Sequence, residues 1–257
     1  MKVMFCGAHP DDAEIYMFGT LLAYRAMDST VVMVIACKGD GGSGDRSPHQ
    51  PLEITRRAEA EKGAAELGAR LVALDFADLS LGERRLELLL RLERLFAEEA
   101  PDLIFTHSLN DYHADHRTLA AAVTLAASDR VPLAYVDTMH GDNFLPTHYV
   151  DIGPHIDRKL QSIRIHHSQK PRRYALAALA LAKKRGQEAT GVDGPLMEAF
   201  RYDGRPRAKD LTRLLPAKIT LANTMSVMIP AGRPAQSGTY QVNFQMAGAA
   251  VAEKPPR

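Results

Sequence analysis

The chain has little that would tie it to a charged or lipid partner. Its 32 Lys and Arg side chains are matched by 31 Asp and Glu. No basic field recommends nucleic acid or an anionic membrane, and no acidic tail stands out. Long apolar runs are missing too. The segment Tyr174 to Ala182 is dominated by Ala and falls far short of a bilayer span. The opening Met1–Cys6 is too short for the apolar part of a signal peptide and has no small-residue cleavage site after it. Cysteine is scarce: Cys6 and Cys37 are the only two, too few for a disulfide framework. Both lie near the ends of apolar segments, where buried free thiols are the ordinary expectation. A cytoplasmic location is expected.

Two nucleotide-binding signatures are also absent. The glycine-rich stretch Gly39–Gly44 is not followed by Gly-Lys-Ser/Thr, so it is no P-loop. The first strand-to-helix turn carries His9-Pro10-Asp11-Asp12 in place of Gly-x-Gly-x-x-Gly, which argues against a nicotinamide cofactor.

What is present is an ordinary globular chain of 257 residues, 46% hydrophobic and 25% charged, long enough for one large α/β domain or one with a smaller addition. Apolar, β-branched runs predict strands at Lys2–Cys6, Thr30–Ala36, Arg70–Leu74, Leu103–Thr106 and Leu133–Asp137. Helical spacing predicts helices between them. One is Glu53–Leu67, with Ile54, Ala58 and Ala65 on its inner face and Gly68 as its stop. Another is Gly82–Glu99, with a stripe of Leu86, Leu89, Leu92 and Phe96. His116–Ser128 is an Ala-rich third. Later, Ile156–His167 and Pro171–Arg185 look helical, while Gly191–Arg207 reads as a Gly/Pro-punctuated loop. The expected fold is α/β: a Rossmann-like, doubly wound, mostly parallel sheet with helices on both faces, plus a C-terminal extension of small elements. Residues 1–170 would form the core. Residues 171–257 would add a helix, substrate-side loops and an extension, packed as one structural domain.

Two clusters carry the chemistry. Ala8-His9-Pro10-Asp11-Asp12-Ala13-Glu14 follows the first strand, and Asn110-Asp111-Tyr112-His113-Ala114-Asp115-His116 follows the fourth. Alone, each has a plain explanation as a helix entry. In a doubly wound sheet, however, the first and fourth strands flank the point where strand order reverses, and ligands bind outside the strand ends there. Two imidazoles and a carboxylate make a three-ligand zinc site with a position left open, and His9, Asp12 and His116 can fill those roles. Asp11 then stands beside the metal as a possible base. His113 would sit at the opposite rim, near a developing oxyanion or the leaving nitrogen. Asp115 could accept a hydrogen bond from His113 and raise its pKa. His140, after the fifth strand, could line a substrate pocket. His107 adjoins a strand end and suits a structural hydrogen bond, whereas His166 and His167 suit a helix C-terminus.

The paired motifs Ala8-His9-Pro10-Asp11-Asp12 and His113-x-Asp115-His116 resemble those of the LmbE-like (PIG-L) zinc de-N-acetylases. Thr55-Arg56-Arg57-Ala58-Glu59, Leu67-Gly68, Phe76-Ala77-Asp78 and the segment Asp157-x-Lys159 to His167-Ser168-Gln169 extend the resemblance over roughly the first 170 residues. It implies one Zn2+ per chain on His9, Asp12 and His116, with Asp11 as general base. His113 would be the electrostatic partner or acid, held by Asp115, and Arg56 and Asp78 would contact sugar hydroxyls. Without the resemblance, Arg56 reads as a surface helix residue, and Arg57 and Glu59 as a solvated helix face. The implied reaction is hydrolysis of an N-acetylglucosamine-type conjugate to acetate and a free amine by a homo-oligomer. Non-catalytic metal or sugar binding on the same fold, or another metal-dependent amidase, are the rivals. A phosphoesterase would want a second metal or a basic clamp.

Overall fold

A computed structural model describes residues 1–42, 50–139, 143–191, 194–203, 211–216 and 219–221. Five parallel strands form its centre: β1 (Lys2–Gly7), β2 (Thr30–Cys37), β3 (Arg70–Phe76), β4 (Leu103–His107) and β5 (Leu133–Val136), in spatial order β3-β2-β1-β4-β5. β1 pairs in parallel with β2 (Val3 opposite Val31) and with β4 (Val3 opposite Leu103). Strand order therefore reverses between β1 and β4. The sheet continues past β5 through β7 (Met197–Tyr202), β6 (His148–Asp151) and β8 (Ile219–Leu221), all antiparallel to their neighbours. The fold is the expected α/β architecture, with eight strands among the described residues.

Alternation along the strands sorts the core into two layers. Val3 and Phe5 of β1 point to one face, where they join Phe18 and Leu21 of helix α2 (Phe18–Ala26) and Ala64 and Leu67 of α3 (Leu52–Leu67). α2 follows the short α1 (Asp12–Tyr16). Met4 and Cys6 point to the other face, against α4 (Arg85–Glu99) and α5 (Ala114–Ala127). α6 (Ile156–Ile163) and α7 (Pro171–Thr190) complete the first layer. No helix among the described residues is long and apolar enough to cross a membrane.

Three details differ from the sequence expectation. α4 buries Leu88, Leu92, Leu95 and Phe96 and leaves Leu86 exposed. Its leucine run is dense enough to offer more than one stripe, and packing against α5 selects this one. In α3 the expected inner residues Ile54, Ala58 and Ala65 face solvent, while Leu52, Arg56, Glu59, Ala60, Gly63, Ala64 and Leu67 are buried. The helix turns two charged groups inward because each has a buried partner, described below. β7 lies where a loop was expected. Its Glu198 occupies an inner position because its carboxylate accepts from the Gly19 and Thr20 amides and pairs with Lys159 Nζ at 2.6 Å.

Candidate metal centre and catalytic cleft

The two clusters meet where the topology requires. β1 ends at Gly7 and delivers His9, Asp11 and Asp12; β4 ends at His107 and delivers Asp111, His113, Asp115 and His116. His9 Nδ1 lies 3.2 Å from His116 Nε2 and 3.8 Å from Asp12 Oδ2, and His116 Nε2 lies 3.5 Å from Asp12 Oδ1. Zinc–ligand bonds of about 2.0–2.2 Å at tetrahedral angles set ligand atoms roughly 3.3–3.6 Å apart. Taken pair by pair, with His9 near one Asp12 oxygen and His116 near the other, these spacings are compatible with a zinc-like ion. Among the described residues, metal-type atoms come within 4.8 Å of one another in three groupings: His9 with His113 and His116, Asp12 with His107 and His116, and His9 with Cys37 and Asp115.

The surrounding hydrogen bonds orient these ligands. His116 Nδ1 is 3.0 Å from Asp111 Oδ2, and that carboxylate also accepts from Thr138 Oγ1 and the His113 amide. His9 Nε2 is 3.3 Å from Asp115 Oδ2, which in turn accepts from the Leu79 amide. A carboxylate behind each of these candidate ligand histidines sets its tautomer and raises its basicity. His107 Nε2 lies 3.0 Å from Asp12 Oδ2, and its ring stacks on that of His116 at 3.7 Å. The same His107 nitrogen lies 3.0 Å from the Ala8 amide, which donates to it, so the structural hydrogen bond expected of His107 is made to the backbone beside the candidate ligands.

The electrostatics mark a place for positive charge. Burial alone would lower the His116 pKa, but Asp12 and Asp111 overcome it and push it up to about 10. Burial would likewise raise Asp111, yet its bond to His116 brings it down to about 2. A proton shared this way competes directly with a metal ion for the same donors.

Asp11 is the N-cap residue of α1 by position, but its side chain caps nothing. Arg56 Nη2 donates to Asp11 Oδ1 at 2.8 Å instead, with both side chains buried. Arg56 is therefore no surface residue. Gly39, at φ 81°, leaves the space its guanidinium fills, since a Cβ there would approach Arg56 Cδ to 2.8 Å. Asp78 lies in the cleft wall, and its two oxygens accept from the Gly39 and Gly41 amides at 2.9 and 3.0 Å. It holds that loop, and each oxygen keeps a lone pair for a substrate hydroxyl.

His113 caps α5, its Nδ1 accepting from the Asp115 amide at 3.2 Å. The Asp115 carboxylate is 4.0 Å from that nitrogen and closer to His9. The expected rise in the His113 pKa is overturned: burial first, then His9 and His116, hold it below its ordinary value. With Nδ1 accepting from the Asp115 amide, Nε2 is the ring nitrogen left to carry a proton into the cleft. His140 lies outside the described residues.

Some neighbours escaped the sequence reading. Asp111 was readable only as an acid five residues before His116. Tyr112, Tyr174 and Gln169 line the same cleft of about 260 Å3 and come from three separate segments. Glu59, expected on a solvated face, is buried and accepts from the Ser168 amide and Oγ. His166 is not a helix-end histidine. It is buried between Glu14 (Nε2 to Oε1, 3.4 Å) and Glu59 (Nδ1 to Oε2, 3.9 Å).

Residues 4–127, which include both clusters, match the family model described as GlcNAc-PI de-N-acetylase (PIG-L). Over 189 residues, 66% of this chain and 70% of the relative, the chain is 28% identical to diacetylchitobiose deacetylase of Thermococcus kodakarensis. The solved N,N'-diacetylchitobiose deacetylase of Pyrococcus horikoshii superposes with a TM-score of 0.69 at 25% identity, covering 80% of this chain and 84% of that one. GalB, the 4-carboxy-2-hydroxymuconate hydratase of Pseudomonas putida KT2440, superposes with a TM-score of 0.67 at 19% identity, over 81% and 98% of the two chains. The last likeness speaks for the fold alone, because a fold hosts more than one chemistry.

Proposed function

We propose that this protein is a zinc-dependent hydrolase, with one Zn2+ per chain, that removes the acetyl group from an N-acetylglucosamine-type conjugate. The products are acetate and the free amine. The observation that carries this reading is the approach of His9, Asp12 and His116 donor atoms to within 3.2–3.8 Å, with Asp11 beside them and unused as a helix cap. The named activities of the two archaeal relatives support the same substrate class.

His9, Asp12 and His116 would hold the ion. When bound, it supplies Lewis acidity to an amide carbonyl and to water near neutral pH. Asp11 accepts the proton of the attacking water at its carboxylate, while Arg56 keeps that carboxylate from rotating away. The water oxygen bonds to the acetyl carbon, and His113 donates its Nε2 proton in a hydrogen bond to the carbonyl oxygen as charge grows there. Asp11 then returns its proton to the sugar nitrogen as the carbon–nitrogen bond breaks. Arg56 and Asp78 face the sugar hydroxyls from the cleft wall. Two free, buried cysteines support a reducing, cytoplasmic setting, and the family resemblance supports a homo-oligomer.

The test pairs elemental analysis with acetate release from a panel of N-acetylglucosamine conjugates. The native chain should carry one zinc and release acetate. His116→Ala should lose most of the metal, whereas Asp11→Asn should keep it and lose about a hundred- to ten-thousand-fold in turnover. Bound zinc without acetate from any conjugate would instead favour a non-catalytic binding protein.

A further inference from the structure

The cleft is closed on one side by the helix that carries Asp12. Ile15 and Tyr16 follow Asp12 by three and four residues on α1, so they share its face. The Tyr16 ring stands edge-on to His116 at 6.2 Å and to His107 at 6.0 Å. Ile15 and Tyr16 are 4% and 7% exposed, whereas Leu79 and Tyr112 on the same cleft are 69% and 54% exposed. Asp78 and Gln169 are half-buried. The open, polar end of the cleft therefore lies with Asp78 and Gln169, and its deep, apolar end with Ile15 and Tyr16.

A second space lies behind that deep end. It is a cavity of about 10 Å3, scarcely room for one water molecule, between α1, α7 and β7. Ile15 and Tyr16 line it as they line the cleft. Ala178, Ala182 and Ala199 give it small side chains on the far wall. The charged groups around it are paired with one another, Arg185 with Asp137 and Lys159 with Glu198. Tyr16 is thus a partition between the cleft and a space walled in part by alanines. Removing its ring would join the two and lengthen the cleft away from its mouth.

An amide carbonyl placed beside His9, Asp12 and His116 carries its sugar nitrogen on one side and its acyl tail on the other. With the sugar toward Asp78, the tail points at Ile15 and Tyr16. We propose that Tyr16 is the stop that limits the acyl group to acetyl: a methyl packs against its ring, and each further methylene collides with it. A close-packed interior does not absorb extra methylenes without forcing its neighbours to shift. This inference rests on the deacetylase reading and deepens it by naming the residue that sets acyl length.

The test measures free amine released from the N-acetyl and N-butanoyl forms of glucosamine and of chitobiose. The native chain should favour N-acetyl by at least about tenfold in kcat/KM, a discrimination that a single methylene can already give. Tyr16→Ala should shift that ratio toward N-butanoyl by at least about tenfold, and Tyr16→Phe, which keeps the ring, should leave the ratio in place. Tyr16→Leu empties less buried volume and costs less stability; it should shift the ratio in the same direction as Tyr16→Ala. Equal kcat/KM for the two acyl groups in the native chain would overturn the proposal, as would an unchanged ratio in the folded Ala or Leu variant. Calorimetry of the zinc-loaded chain with acetohydroxamate and hexanohydroxamate, which carry no sugar, separates the two readings. If no sugar is hydrolysed, yet the native chain binds the short hydroxamate at least about tenfold more tightly and Tyr16→Leu loses that preference, the deacetylase reading fails and the stop stands. If the native chain does not distinguish the two hydroxamates, the stop fails.

Discussion

Arg56 and Asp11 come from different elements 45 residues apart, yet Nη2 and Oδ1 meet at 2.8 Å in a buried pair. Removing one partner of such a pair leaves an uncompensated buried charge, typically at a cost of about 3–5 kcal/mol. Arg56→Met should therefore lower stability by roughly that amount in urea denaturation. The double variant Arg56→Met/Asp11→Asn should recover most of the stability and none of the activity, because the proposed base is gone. A double variant no more stable than Arg56→Met would show that the two groups are not coupled.

The acids behind the histidines predict a different phenotype. Asp111 backs His116 at 3.0 Å and Asp115 backs His9 at 3.3 Å. Asp111→Asn and Asp115→Asn should each weaken zinc binding about 10- to 100-fold, read by competition with a metal-sensitive dye. His113→Ala should keep its zinc and lose turnover. If Asp115→Asn bound zinc normally and shifted only the pH profile, the sequence-based pairing of Asp115 with His113 would be restored.

Much of this arrangement was legible in the residues. β1 and β4 are unbroken apolar runs because helices cover both their faces, and strand–helix alternation alone implies a reversal beside β1. That placed His9, Asp12 and His116 in one crevice. The inward face of α3 was not legible. Arg56 and Glu59 look like solvent residues until their partners, Asp11 and Ser168, are brought in by the fold. β6 and β7 were missed for a similar reason: His148, Glu198 and Arg201 interrupt short strands whose pairing partners lie about fifty residues away. Asp115 was found, but which histidine its carboxylate meets depends on a turn geometry that spacing does not encode.

Gly63 in α3 offers a reversal of an ordinary rule. Replacing a helix-interior glycine by alanine usually stabilises by about 1 kcal/mol. Here an added Cβ would fall 2.1 Å from Glu14 Oε1, and Glu14 is fully buried, with that same oxygen 3.4 Å from His166 Nε2. Gly63→Ala should therefore lower the melting temperature. An increase would mean that the contact between α1 and α3 is loose.

His166 sets the pH dependence of that contact. It is buried, and burial alone would lower its pKa, but Glu14 on α1 first, then Asp11 and then Glu59 on α3, raise it above the ordinary histidine value. Protons bind His166 more tightly in the folded chain than in the unfolded one, where histidine titrates near ~6.5. Its stabilising contribution is therefore complete below about pH 6.5 and fades as pH rises through the folded-state pKa. Unfolding free energies of the native chain and His166→Gln, measured in urea with chelator present, should differ most near pH 6 and converge as pH increases. His167 also meets Glu59, at 2.9 Å, but is largely exposed, so His167→Gln should leave the slope unchanged. A gap between the native chain and His166→Gln that stays constant from pH 6 to pH 9 would mean that His166 carries no extra proton in the folded state. The histidine would then hold α1 against α3 by packing alone.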